Sequence, residues 1–151
     1  MTEPSTQDFA DFINASPDGW VKAHGLHFLR ANRDEVIAEL TIGPQHLQAY
    51  GIVHGGVHAG IIESLASVGA ALDAMARGHS AVGLENHTSF LHAVRAGKLR
   101  GTAKPLTRGR RSQVWESTVF DEQGRMAATG RVRLLILEAG AELAGERVAV
   151  K

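Results

Sequence analysis

Glu63 lies nine residues beyond His54 of the run His54-Gly55-Gly56, and these residue types together can do chemistry at a carbonyl. Glycines at the start of a helix leave backbone N–H groups unpaired and sterically open, at the positive end of the macrodipole. Such amides can stabilise negative charge developing on a carbonyl oxygen. A carboxylate two turns further along can attack the carbonyl carbon or activate a water beside it. Ser67, four residues after Glu63, falls on the same helical face and can orient the water or the carboxylate.

A helix must carry this set. From Val57 to about Arg77, the residues Ile61, Leu65, Val68, Leu72 and Met75 recur at three- and four-residue spacing, one apolar stripe at roughly 100° per residue. Glu63 projects roughly 200° from the centre of that stripe. Where a surface helix would carry Lys, Asp and Gln, this far side carries Gly60, Ser67, Ala70 and Ala74. The plain alternatives are a buried ion pair of Glu63 with Arg77 or an interface arginine, a tight packed turn at Gly55-Gly56, and Ser67 as a small packing residue. His54 reads as a hydrogen-bonder to its loop rather than as the base.

The remaining elements are strands and one short helix. An amphipathic helix is expected over Thr6 to Ala15, closed by the turn Ser16-Pro17-Asp18-Gly19. Gly25 to Arg30 and Val36 to Ile42 alternate as two strands joined at Ala31-Asn32-Arg33-Asp34. Gly78 is the expected C-terminal cap of the long helix. Strand-like runs follow at Ser80 to His92, Lys98 to Leu106, Ser112 to Phe120 and Arg125 to Leu137, with connectors short enough for antiparallel neighbours. The tail from Ala139 to Lys151 is Ala/Gly/Glu-rich and reads as a flexible segment or loose helix. The expected fold class is α+β, one long central helix on an antiparallel sheet of five to six strands, in a single domain of 151 residues. Two dry helix faces and leftover sheet edges favour a homo-oligomer with sites shared between subunits.

Composition excludes several classes. Lys plus Arg equal Asp plus Glu at 16 each, so the formal net charge is zero and no basic excess recommends nucleic acid or an anionic membrane as partner. Without cysteine there is no disulfide framework, thiol nucleophile or thiolate metal site. His54 with His58, and His24 with His27, have spacings that could converge on a metal, but no third ligand is clearly spaced, so no metal site is expected. The first residues carry no signal-peptide pattern and no apolar run approaches the roughly 20 residues of a membrane span, so a cytoplasmic domain is expected.

The run Gln48-Ala49-Tyr50-Gly51-Ile52-Val53-His54-Gly55-Gly56, followed by Glu63 and Ser67, resembles the hotdog-fold acyl-CoA thioesterases. Within them it is similar to the branch whose helix carboxylate is Glu, which includes hydroxybenzoyl-CoA and dihydroxynaphthoyl-CoA thioesterases. The phenylacetate-degradation branch usually has Asp there. The similarity continues through Ala81-Val82-Gly83-Leu84-Glu85, Lys104-Pro105-Leu106, Gln113-Val114-Trp115 and Phe120-Asp121-Glu122-Gln123-Gly124-Arg125.

The resemblance implies a hotdog fold and hydrolysis of an aromatic acyl-CoA. Glu63 would be nucleophile or general base, the Gly55 amide the oxyanion donor, and Gln48 a side-chain donor near the thioester carbonyl, with Ser67 and His54 beside them. It also implies CoA contacts near the basic loop Arg108-Gly109-Arg110-Arg111-Ser112. Arg95, Arg110, Arg111, Ser112 and the Gly56 amide are the binding candidates, since arginine can take phosphate bidentately. CoA enters as part of the substrate and no further cofactor is implied; the assembly expected is a homotetramer, a dimer of dimers. The alternatives are a non-catalytic acyl-CoA-binding protein, or a thioesterase for short to medium aliphatic or phenylacetyl-type acyl groups.

Overall fold

Alternating apolar residues separated by short polar connectors give antiparallel neighbours, and the chain builds six such strands into one sheet. The computed structural model describes residues 7–150. Its elements are α1 (Ala10–Ala15), α2 (Gly19–His24), β1 (His27–Ala31), β2 (Val36–Thr41), a 3-10 turn (Pro44–His46), α3 (Gly55–Met75), β3 (Ser80–Phe90), β4 (Lys98–Arg108), β5 (Ser112–Phe120) and β6 (Met126–Leu137). A small terminal hairpin, β7 (Glu142–Leu143) and β8 (Glu146–Arg147), follows. The sheet order is β1-β2-β4-β5-β6-β3, and every neighbouring pair is antiparallel. Helix α3 lies across one face and touches β2 through β6. This is the hotdog arrangement, a long helix wrapped by a sheet.

The period of two decides which side chains meet the helix. Val36, Ala38 and Leu40 of β2, Leu99 and Ala103 of β4, and Trp115 and Val119 of β5 are fully buried against Ile61, Ile62, Leu65 and Ala66 of α3. Gln113 and Asp73 are also buried, which demands partners. The Trp115 Nε1–H donates to Gln113 Oε1 at 2.8 Å, and Gln113 Nε2 donates to Asp73 Oδ2 at 2.8 Å. Arg33 and Arg77 close on the two Asp73 oxygens at 2.8 and 3.0 Å. One chain of polar contacts thus runs from the core to solvent with no orphan in it.

The long helix differs from the expected one at its start and in its face. It begins at Gly55, so the two glycines form its first turn instead of preceding it. Met75 is exposed and Val68 and Leu72 only partly buried, while Ala70 and Ala74 are fully buried. The buried face is therefore rotated toward the small residues, because a sheet can approach a helix closely only where side chains are short. Gly60 is covered too, by the ring of Trp20. Its far end matches expectation: Gly78 takes φ +74°, with Gly78 N–H on Met75 O and His79 N–H on Ala74 O, both at 3.0 Å. By length and a mean hydropathy of 1.2, α3 would suffice to cross a membrane; here those apolar residues make the core.

At the termini the structure corrects four expectations. The N-terminal helix spans Ala10–Ala15, and Thr6 lies outside the described residues. The expected turn at Ser16 to Gly19 instead launches α2, because Asp18 Oδ1 accepts from Val21 N–H at 2.9 Å as an N-cap. Gly25 (φ +69°) ends α2, so β1 starts at His27 rather than at Gly25. The C-terminal tail forms the β7–β8 hairpin rather than a loose helix; Lys151 lies outside the described residues.

Gly69 shows how tight the helix–sheet contact is. A Cβ there would sit 2.3 Å from the Trp115 ring, which is fully buried and tethered at its Nε1. Helix propensity alone favours Ala over Gly by about 1 kcal/mol. Overpacking a rigid buried ring costs about 1–3 kcal/mol. Gly69→Ala is therefore expected to lower the urea midpoint; a raised midpoint would show that Trp115 moves freely.

Candidate active site

The start of α3 is held by histidines. His46 is buried; its Nδ1 accepts from Gly43 N–H at 2.9 Å and its Nε2 faces His24 O at 2.9 Å, which assigns Nε2 as the donor. His46 O in turn accepts from His54 N–H at 2.8 Å. His54 sits at φ −63°, ψ 135°, and its Nδ1 accepts from Gly56 N–H at 2.8 Å, the N-cap of α3. So His54 is a loop hydrogen-bonder, as its position suggested. The capping also occupies the Gly56 amide, whereas the Gly55 N–H has no partner among the described residues. One free amide points outward at the positive end of a 21-residue helix.

That amide borders a cavity of about 350 Å³ lined by Gln48, Val53, Gly55, His58, Phe90 and His92 among others. Gln48 Oε1 accepts from Tyr50 N–H, which leaves its Nε2 group without a partner among the described residues. The Phe90 ring lies where a Cβ on Gly55 would be, 2.7 Å from its Cζ. Only glycine admits that ring beside the amide. His58 is buried with Nδ1 unpaired, and burial pushes its pKa below the ordinary imidazole value. At neutral pH it is an uncharged wall.

Glu63 is half-buried, two turns further on. Ser67 Oγ–H donates to its Oε1 at 3.2 Å, and Asn86 Nδ2–H donates to its Oε2 at 2.9 Å. Gly83 of β3 makes room, since a Cβ there would lie 2.5 Å from Glu63 Oε1. No cation pairs with Glu63 among the described residues. Arg77, the candidate structural partner, binds Asp73 instead.

The two halves of the set do not meet within one chain. Gly55 and Glu63 are eight residues apart on one helix, about 12 Å along its axis at 1.5 Å per residue. Glu63 and Ser67 do not line the Gln48–Gly55 cavity. At that rise the Glu63 carboxylate stands well away from its own chain's Gly55 amide.

Asn86 and Gly83 were not singled out from sequence. A signal existed: glycine inside a strand marks a close approach, and the alternation of β3 puts Asn86 and Thr88 on one face. The basic candidates divide. Arg95 donates from Nη1 to the carbonyls of Tyr50 and Gly51 at 2.8 and 3.2 Å, so it braces the Gln48 loop. Arg108 is tied to Arg33 O and Asp34. Arg110 and Arg111 are exposed at the β4–β5 turn with no side-chain partner among the described residues, and Ser112 opens β5 beside them. Among the described residues no three His, Asp or Glu side chains cluster as a metal site would.

Known proteins share this arrangement. The thioesterase superfamily model matches residues 50–128. A Mycobacterium tuberculosis protein proposed to be an esterase is 44% identical over 117 residues, 76% of this chain and 84% of its own. Its solved structure superposes with a TM-score of 0.79 at 42% identity, covering 81% of this chain and 98% of that one. AziG of S. sahachiroi gives 0.77 at 36% identity, over 80% of this chain and 98% of its own. A Haemophilus influenzae thioesterase gives 0.80 at 25% identity, over 85% and 90%.

The buried imidazole makes a pH prediction. Because the folded-state pKa of His58 is lowered, its contribution to stability is full above the ordinary imidazole pKa and is lost as pH falls toward the folded value. Urea midpoints measured from about pH 7.5 to 5 should fall more steeply for the parent than for His58→Leu. Parallel curves would contradict a buried, neutral His58.

Proposed function

The chain belongs to the thioesterase superfamily, and from that premise we propose that it hydrolyses an aromatic acyl-CoA to the free acid and CoA. Glu63 acts as nucleophile or general base, and the Gly55 amide stabilises the oxyanion. The observation that carries this reading is the state of Glu63: a half-buried carboxylate held by two neutral donors and by no cation. A structural carboxylate in this same helix, Asp73, has three arginines on it: Arg33, Arg77 and, at 3.8 Å, Arg108. Glu63 keeps its charge uncompensated and available.

The reading requires two copies. Strand β3 is eleven residues long, bonds only β6, and exposes Leu84 and Phe90, with Leu91 just beyond it. A free edge of this length invites a second strand. Pairing β3 with its own copy about a two-fold axis runs the two α3 helices in opposite directions. The Gly55 amide of one copy then approaches Glu63 of the other, and a thioester carbonyl fits between them. Gln48, its Nε2 free, donates to the same carbonyl. The apolar walls Ile52, Val53, Phe90 and Leu91 suit a flat ring. The unpaired Arg110 and Arg111 suit the phosphates of CoA.

Glu63→Gln tests the chemistry. The amide is nearly isosteric and still fits over Gly83, but it can neither attack a carbonyl nor take a proton from water. Thiol release from a panel of acyl-CoAs should fall about a thousandfold or more, with acyl-CoA binding retained. A variant within tenfold of the parent would make Glu63 structural. Saturable binding by a parent that never turns over would make the protein a binder.

A further inference from the structure

We propose that Asn86 is a positioning residue for this hydrolysis: its side-chain amide, aimed by Thr88, holds the Glu63 carboxylate in the orientation from which it acts. The inference rests on the proposed role of Glu63 and adds a residue to it. Asn86 Nδ2 lies 2.9 Å from Glu63 Oε2 and 3.1 Å from the carbonyl oxygen of Ala59, one turn earlier in α3. Both of those atoms are pure acceptors, so the NH₂ end of the amide must face them. The oxygen end then faces Thr88 Oγ1 at 2.6 Å, and the hydroxyl must donate. Each partner's role fixes the next, and the amide cannot flip without setting its oxygen against two acceptors, Glu63 Oε2 and Ala59 O.

The carboxylate is thereby fastened at both oxygens. Ser67 holds Oε1 at 3.2 Å, and Asn86 holds Oε2 with the shorter bond. Glycine at 83 leaves the notch into which Oε1 fits. A glutamate side chain has three rotatable bonds, and freezing it in one geometry at the time of reaction costs rate unless the site has done so already. A neutral amide suits the task. An arginine at 86 would orient the carboxylate equally well but would pair with its charge and blunt it as a nucleophile or base. Asn86 also ties α3 to the middle of β3, the strand whose free edge faces the expected second copy. It belongs to the same half of the site as Glu63.

The test is steady-state hydrolysis of one acyl-CoA by Asn86→Ala, Asn86→Asp and Thr88→Val, each also with Glu63→Gln. Asn86→Ala should lower kcat about ten- to a hundredfold while KM stays within about threefold, the range for one oriented bond near a transition state. Asn86→Asp, the same shape with no donor and a like charge, should lose more. Thr88→Val should lose less in the same direction. In the Glu63→Gln background, Asn86→Ala should change the residual rate by less than about twofold, because the group it positions is gone. An equal loss in both backgrounds, or a raised KM with intact kcat, would overturn the assignment. So would Asn86→Ala and Asn86→Asp both matching a live parent, which would leave the proposed function standing. A parent that hydrolyses no thioester would overturn both.

Discussion

A helix advances about 1.5 Å per residue, and that number divides this site in two. The free amide of Gly55 and the carboxylate of Glu63 ride on one rigid helix, eight residues apart. No loop motion brings them together, since α3 is locked into the sheet through Ile61, Ile62, Leu65 and Ala66. In the proposed function, the same packing that makes the fold stable leaves each chain with half of the catalytic set. The order β1-β2-β4-β5-β6-β3 leaves β3 at an edge, and β3 is also the strand that carries the groups around Glu63. The proposed function makes the open edge and the divided site one feature.

Two carboxylates on α3 show what environment does to the same chemical group. Asp73 is buried and saturated: Arg33, Arg77 and Gln113 all contact it. Removing any of them would strand charge or a donor, so that network holds α3 to β5 and to the loop after β1. Glu63, ten residues earlier, meets only a hydroxyl and an amide. Neutral donors steer a carboxylate without cancelling it. The first arrangement is saturated by charge, and the second leaves the carboxylate open for the role proposed for it.

Much of this was legible in the chain. The alternation from Ser112 to Phe120 marks β5 at both bounds, and Gly78 ends the long helix as its type requires. Glu63 was conspicuous because a lone carboxylate on a bare helix face is unusual. Three things were not legible, each for a physical reason. The small residues Ala70 and Ala74 read as an outward face, because periodicity weighs size and polarity but cannot see that a sheet packs closest on short side chains. Asp18 read as part of a turn, since a turn residue and an N-cap share the same chemistry. Asn86 was hidden because its partner lies 23 residues away, and only the fold sets the register between β3 and α3. The resemblance to known thioesterases named Gln48, Gly55 and Glu63 together, and the two dry helix faces already pointed to sites shared between subunits.

The shared site can be tested by mixing two inactive chains. Gly55→Pro removes the N–H and, through its ring, also displaces the Phe90 ring; the helix start itself survives, because proline is tolerated at the first helical position and His54 already holds the extended conformation that a following proline demands. Glu63→Gln removes the carboxylate. Each variant alone should be nearly inactive. Unfolded together and refolded as an equal mixture, half of the pairs should be hybrids with one intact site in two, restoring about a quarter of the parent rate. If the mixture stays at the level of the separate variants, while gel filtration shows that hybrids have formed, the amide and the carboxylate act within one chain, and the account given for this site is wrong.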